Sequence, residues 1–261
     1  MTIFVFIKQV PENNKITIDR TTGNLVREGV PAVMNAPDRN AVELAVSLKE
    51  RLGGTVTLFT MGLPQAKDIL TEGIAMGADR GILLTDRAFG GADTLATAEV
   101  LAGAARHYGP FDLILCGSQS SDGSTGQIAA KLAELLDLPA LTFADGFSLT
   151  ENTVVIKRRI GLFTETVEST LPLVASLTTK VNEPREAGTA AKFKAKKVLL
   201  EEVGNALLQL QPERIGAAGS PTKVAGSFAT PERKKGISIK GANAREMGQN
   251  LVRELLAEKL I

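Results

Sequence analysis

The sequence predicts an α/β fold: a mainly parallel sheet with helices on both faces, antiparallel edge strands and an extended C-terminal arm. Three observations carry this. Apolar strand-like runs alternate with helix-period segments through residue 136. Those strands are apolar almost throughout, as strands covered on both faces are. After Ala140 the texture changes to polar–apolar alternation, and after Thr179 to a segment without a sustained core period.

Element by element, Thr2–Lys8 (TIFVFIK) reads as a buried strand and Lys15–Glu28 as a hairpin turning at Gly23-Asn24. A helix is expected from Asn35 to about Leu52, with Asn35 as cap, Pro37 in the first turn and Ala41, Leu44, Ala45 and Leu48 on one face. Thr55–Thr60 is a strand, and Pro64–Met76 a helix stopped by Gly77. Arg80–Leu84 is a strand and Asp93–Tyr108 a helix capped by Asp93 or Thr94. Phe111–Cys116 is a strand, and Asp122–Leu136 a helix in which Ser124-Thr-Gly-Gln127 fits a capping box. Thr153–Arg159 and Thr164–Ser169 read as antiparallel strands that make the sheet mixed at one edge, and Leu171–Leu177 as another buried strand. The stretch from Lys180 to Lys197, with five lysines, reads as an exposed loop. A last helix is expected from about Ala244 to Lys259, with Met247, Leu251, Leu255 and Leu256 on one face. The domain division is 1–184 for the α/β domain and 185–261 for the arm, whose apolar residues are too few to fold alone.

Composition excludes several functions. A net charge of +1 gives no global attraction to nucleic acid or to an anionic membrane, and 4% aromatic residues with no Trp make poor base-stacking platforms. One cysteine and one histidine rule out an internal disulfide and a multi-Cys or His-rich metal site. No apolar run reaches the ~20 residues of a membrane span, and the N-terminal apolar run is too short for a secretion signal. The reading is a soluble protein of a reducing compartment, the cytoplasm. No paired carboxylate, Ser/His/Asp set or metal cluster stands out, so any chemistry belongs to a bound cofactor.

Ligands of open α/β sheets lie beyond the C-terminal ends of the strands. Four stretches fall there: Lys8–Pro11, Asn35–Asp38, Asp86–Thr94 and Cys116–Gln127. None is a Walker A loop or a dinucleotide fingerprint. Their amides and hydroxyls nonetheless suit phosphate oxygens, and together they point to a nucleotide site. Phe89-Gly90-Gly91 ahead of a helix start reads either as an anion cradle or as a tight strand-to-helix turn. Taken alone, Cys116 reads as a small buried hydrophobe, His107 as a partner of its helix C-terminus, and the lysines at 192–197 as a solvated face.

Several motifs, in order and spacing, resemble one known family: "KQVP", "MNAPDRNAVELAVSLKE", "AMGADRGILL", "DLILCGSQSSDGSTGQIAAKLAELLDLP" and "NEPR…KAKK". They are similar to the β subunit of electron transfer flavoproteins from Thr2 to about Leu200, and more weakly beyond. The resemblance implies a Rossmann-like, adenine-nucleotide-hydrolase-type fold, a heterodimer with an α subunit, and a C-terminal arm reaching over that subunit. "DRAFGGADTLAT" and "AGSPTKV" (218–224) resemble the electron-bifurcating branch. There the β subunit holds FAD, takes hydride from NADH, and sends electrons to ferredoxin or flavodoxin and, through the α-subunit FAD, to an acyl-CoA or other flavin dehydrogenase. In the ordinary branch the β subunit binds a structural AMP.

The resemblance implies a cofactor site of Phe6, Lys8, Asn35, Ala36, Pro37, Asp38 and Met61, then Phe89, Gly90, Gly91, Asp93, Thr94 and Thr97 beside the flavin ring. Cys116, Gly117, Gln119, Asp122, Gly123, Ser124, Thr125, Gln127 and Ile128 complete it. Here a bulky side chain at Gly90 or Gly91 would occupy the ring's space. The partner-recognition loop carries over to Asn182–Lys197. Gly188-Thr-Ala-Ala191 stands where the ordinary branch has an anchoring Leu-Pro pair, a departure that argues against ordinary acyl-CoA dehydrogenase docking by this route. Ser120, Ser121 and Ser124 replace apolar or acidic positions of the family's phosphate loop.

Overall fold

The computed structural model describes residues 1–12, 17–18, 25–26, 31–223, 225–226 and 236–261. In chain order the strands and helices are β1 (Thr2–Phe6), β2 (Gln9–Pro11), β3 (Thr17–Ile18), β4 (Leu25–Val26), β5 (Ala32–Met34), α1 (Ala36–Leu52), β6 (Thr55–Met61), α2 (Lys67–Met76), β7 (Arg80–Leu84), α3 (Thr94–Tyr108), β8 (Leu113–Gly117), α4 (Ile128–Leu136), β9 (Ala140–Ala144), β10 (Gly146–Thr150), β11 (Thr153–Ile160), β12 (Phe163–Thr170), β13 (Leu173–Leu177), α5 (Thr189–Ala195), β14 (Glu201–Val203), α6 (Asn205–Leu208) and α7 (Ala244–Ala257).

Seven strands form the central sheet in the order β14-β7-β6-β1-β8-β13-β9, every pairing parallel. The chain runs outward from β1 through β6 and β7, then returns to the other side of β1 as β8. The order therefore reverses between β1 and β8, the position at which such sheets bind ligands. Successive strand residues feed opposite faces. Ile3, Val5, Val56, Leu58, Leu113 and Leu115 meet α1 and α2. Phe4, Phe6, Phe59, Ile114 and Cys116 meet α3 and α4. The small residues of α3 let it lie close to its neighbours: a side chain on Gly103 would meet Leu210 at 2.7 Å.

The antiparallel strands stand beside β9 as a separate three-stranded sheet, β10-β11-β12. Arg158 of β11 donates to Thr142 of β9 at 3.3 Å. Strand β2, which the sequence reading leaves as loop, pairs antiparallel with β5 and brings Lys8 beside Asn35. β3 and β4 form the two-stranded sheet expected between residues 15 and 28; its Gly23-Asn24 turn lies outside the described residues.

Four local expectations need correction. The helix expected from Asp122 begins only at Ile128, because Ser124 (φ 49°) and Gly126 (φ 63°) are left-handed and break helical continuity; the Ser124–Gln127 box does not cap. Asn35 precedes α1 but makes no cap hydrogen bond, its side chain being engaged elsewhere. The supposed loop at 180–197 contains α5, with Ala195 buried. β14 was not foreseen: two exposed glutamates and one buried valine give no strand period, yet it closes the β7 edge.

The chain divides into two compact units, Met1–Thr17 with Leu25–Ala225, and Ile18–Asn24 with Gly226–Ile261. Residues 185–225 thus belong to the first unit. In the second, Asn243 caps α7 by accepting from Glu246 N at 3.0 Å, and α7 buries none of its residues; Met247, Leu251 and Leu256 are exposed. No described helix is long and apolar enough to cross a membrane.

Candidate functional site

The site is built where β1 and β8 end. Asp38, in the first turn of α1, is 5% exposed. Its two carboxylate oxygens accept from Lys8 N (2.7 Å) and Gly117 N (2.9 Å), tying the two strand ends together. Burial pushes its carboxyl up to about 7, although hydrogen bonds from Asn35, Lys8 and Gly117 work against that. Gly117 is required here: a Cβ would land on the Asp38 carboxylate and 2.8 Å from Pro37 Cβ.

The same strand ends position the loop after β8. Asn35 donates through Nδ2 to Gln119 O (2.9 Å) and accepts at Oδ1 from Ser121 N (3.2 Å). Lys8 Nζ reaches Asp122 at 2.7 and 2.8 Å and Ser120 Oγ at 3.3 Å. Partial burial raises the Asp122 carboxyl, but hydrogen bonds from Lys8 and Ser120 outweigh it and hold it below the usual range. Ser120 O accepts from Ser124 N (2.8 Å), which closes the turn. The result is an ordered loop, Gln119–Thr125, whose outer side chains are exposed. Among the described residues the side chains of Gln119, Ser121 and Thr125 donate and accept no hydrogen bond. They are uncommitted polar groups of a kind that can hydrogen-bond phosphate or sugar oxygens, whereas the Lys8 ammonium is spent on Asp122 and Ser120.

The fourth loop joins through α3. Thr94 Oγ1 donates to Gln127 Oε1 at 2.8 Å and accepts from Lys131 Nζ at 2.6 Å. Asp93 caps α3 through Oδ1, accepting from Leu95 N (2.9 Å) and Ala96 N (3.1 Å), as the sequence indicates. Its other oxygen accepts from Thr222 Oγ1 (2.6 Å) and N (3.1 Å), and its own N–H donates to Ser220 Oγ (2.8 Å). Burial raises the Asp93 carboxyl, and these hydrogen bonds more than reverse it, to about 2. The segment 215–222 thus lies as a strap along the Phe89–Asp93 loop. Ala217 N donates to Gly90 O at 2.9 Å, and Gly216 (φ 56°) sits so close to Ala88 O that no Cβ would fit.

Direct hydrogen bonds bring together Lys8, Asn35, Asp38, Gly117, Gln119 and Asp122, with Ser124 tied in through Ser120, and separately join Thr94 to Gln127. Ala36, Gly90, Gly91, Gly123 and Thr125 are exposed around them, and Pro37, Met61, Thr97 and Ile128 are half-buried. Three predicted side chains face the core instead: Phe6 stacks on Phe59, Phe89 packs beneath the α3 face, and Cys116 donates to Ala175 O. They offer the site only backbone. Gly91 (φ 72°) does not look onto open space; a Cβ there would lie 3.0 Å from Ala217. Lys131, Ser220 and Thr222 were missed. Lys131 was legible as the residue one helical turn beyond Gln127, whereas the pairing of Ser220 and Thr222 with Asp93 has no local signal.

Farther along α1, Arg185 donates to Glu43 (2.8 and 3.0 Å) and to Glu50 (2.6 and 2.9 Å), and Asn182 exchanges hydrogen bonds with Asn40. The "NEPR" residues therefore pin the root of the 182–197 segment to α1.

Comparison with known proteins agrees with this architecture. Residues 22–204 match the electron transfer flavoprotein domain. Over the full length of both chains, this one is 38% identical to the electron transfer flavoprotein subunit beta of Thermoanaerobacterium thermosaccharolyticum. It is 37% identical to the caffeyl-CoA reductase-Etf complex subunit CarD of Acetobacterium woodii and 33% identical to the acryloyl-CoA reductase electron transfer subunit gamma of Anaerotignum propionicum, again over all of both chains. A strand-order reversal held by Asp38, a hydroxyl-rich loop after β8 and full-length likeness to these electron-transfer subunits lead to one assignment: the chain belongs to the electron transfer flavoprotein family, with the β subunits.

Proposed function

We propose that this chain is the FAD-binding β subunit of a bifurcating electron transfer flavoprotein. In this reading it accepts hydride from NADH at its flavin. One electron passes to ferredoxin or flavodoxin, and the other to the α-subunit FAD and a partner flavin dehydrogenase. The carrying observation is the ring of exposed donors where the sheet order reverses, with the glycine loop and the α3 N-terminus on its rim. Bound FAD would supply the hydride and electron chemistry. The protein's own contribution is placement. Gln119–Thr125 hold the nucleotide moiety on a loop that Lys8 and Asn35 fix in place, and Gly90–Thr94 with Thr97 frame the ring. Asp38 fixes the two strand ends from which the loops spring. No side chain of the site is needed as acid or base. The names of the relatives from Acetobacterium and Anaerotignum support a CoA-thioester reductase as the partner enzyme. Segment 185–261 carries the recognition loop and places α7 against the α subunit.

A second reading, a β subunit holding AMP for support alone, is favoured by Ala217, which covers Gly91 from within the chain. Acid release and chromatography of the purified αβ heterodimer separates the two. Two FAD and no AMP is the expected result; one FAD with one AMP would replace the first reading by the second.

A further inference from the structure

Lys131 of α4 is not among the residues that the family resemblance brings to the site, yet its ammonium lies 2.6 Å from Thr94 Oγ1. An ammonium has three hydrogens and no lone pair, so Thr94 must accept from it. The Thr94 hydrogen is thereby left to donate, and it meets Gln127 Oε1 at 2.8 Å. No described carboxylate lies within 4.0 Å of Lys131 Nζ, and the nearby Asp93 carboxylate is committed to its helix cap and to Thr222. Thr94 is also the first residue of the 15-residue α3, where the helix dipole is positive. The hydroxyl is thus polarised by a cation behind it and held as a donor, its one hydrogen resting on Gln127 Oε1 until a ligand acceptor takes that place.

We infer that Lys131 is a positioning residue: acting through the Thr94 hydroxyl, it favours the reduced, negatively charged form of the flavin ring over the oxidised, neutral form. This rests on the FAD reading above. When hydride leaves the nicotinamide, its C–H bond breaks and an N–H bond forms on the flavin. The nicotinamide becomes cationic, and the ring gains one negative charge. A donor backed by a cation gains most when its acceptor becomes charged, so the preference is redox-dependent. A bridge that only joined α3 to α4 would have no such dependence.

The test is an equilibrium redox titration of the αβ heterodimer, its nucleotide content measured first. Lys131→Met is expected to lower the midpoint potential of the flavin on this chain, corresponding to about a tenfold loss in preference for the reduced form. Lys131→Arg restores the potential, and in a Thr94→Val background Lys131→Met adds little. Should the Met variant lose its second FAD, Lys131→Gln, which keeps a donor without charge, carries the same measurement. Unchanged potential with both flavins bound would overturn the role of Lys131 and leave the FAD reading standing. AMP in the wild-type preparation would remove both, and is seen before any variant is titrated.

Discussion

A carboxylate buried between two strand ends is costly unless something compensates its charge. Asp38 is met by the Lys8 and Gly117 backbone N–H groups and by the Asn35 side chain, yet burial prevails, raising its carboxyl to about 7 from an ordinary 3.8. Between these values the folded protein binds more protons than the unfolded chain, so this group's contribution to stability falls as pH rises from about 4 to 7. Asp93 works in the opposite sense: held at about 2, it stabilises above pH 4 and loses that contribution as the solution becomes strongly acid. Thermal melts at pH 5 and pH 8 should therefore show a larger loss for the wild type than for Asp38→Asn; parallel losses would dismiss the argument. The Asn variant also turns an N–H toward one of the two amides, which costs about 1–3 kcal/mol at either pH. Gly117→Ala should cost about 3 kcal/mol or more, since neither the Asp38 carboxylate nor Pro37 can move aside cheaply. The pair was half legible. Asp38 stood out beside a helix start, but its burial depends on a strand end 79 residues away.

Among the elements, the sequence was read correctly where the deciding interaction is local. Asp93 caps α3 with its own side chain, and Gly77 (φ 125°) ends α2 in a conformation suited to glycine. Asp93→Ala should cost about 1–2 kcal/mol in chemical denaturation, with a further loss through the freed Ser220–Thr222 strap. Thr222→Val, which spares the Oδ1 bonds, should cost less than Asp93→Ala; an equal cost would mean that the strap, not the cap, holds the helix start. Misreadings arose where distant partners decide. The letters of a capping box are present at Ser124–Gln127, but Gly126 packs against the Phe143 ring and the chain turns left-handed instead. Strand β14 is held by Arg80 and Lys67, which pair with Glu201 and Glu202 from other elements. Within β14 itself nothing announces a strand.

For the molecule as a whole, alternation of strand and helix made the parallel sheet legible, because each βα unit must cover one sheet face. What lies beyond residue 184 was not. Among the described residues its buried hydrophobic side chains, Ala195, Val203 and Ile215, come singly and far apart, so no window of sequence shows a period. They nevertheless complete the first unit. Truncation after Ala225 should leave that unit folding cooperatively, whereas truncation after Pro184 should cost several kcal/mol, the sum of three lost core contacts and an unpaired β7 edge. Urea denaturation of both truncated chains measures the difference; comparable stabilities would make 185–225 an appendage.

The strap has one more consequence, for the lengths this chain can tolerate. Asp93 and Thr222 are 129 residues apart, yet their hydrogen bonds, with those of Gly90 to Ala217 and Asp93 to Ser220, fix the two stretches in register. Adding or removing one residue between Gly90 and Asp93 would pull Asp93 away from Thr222 or Gly90 away from Ala217. Only a matching change between Ala217 and Ser220 restores both. Across related chains, insertions and deletions in these two stretches should therefore be found together, as if they were one loop written in two places.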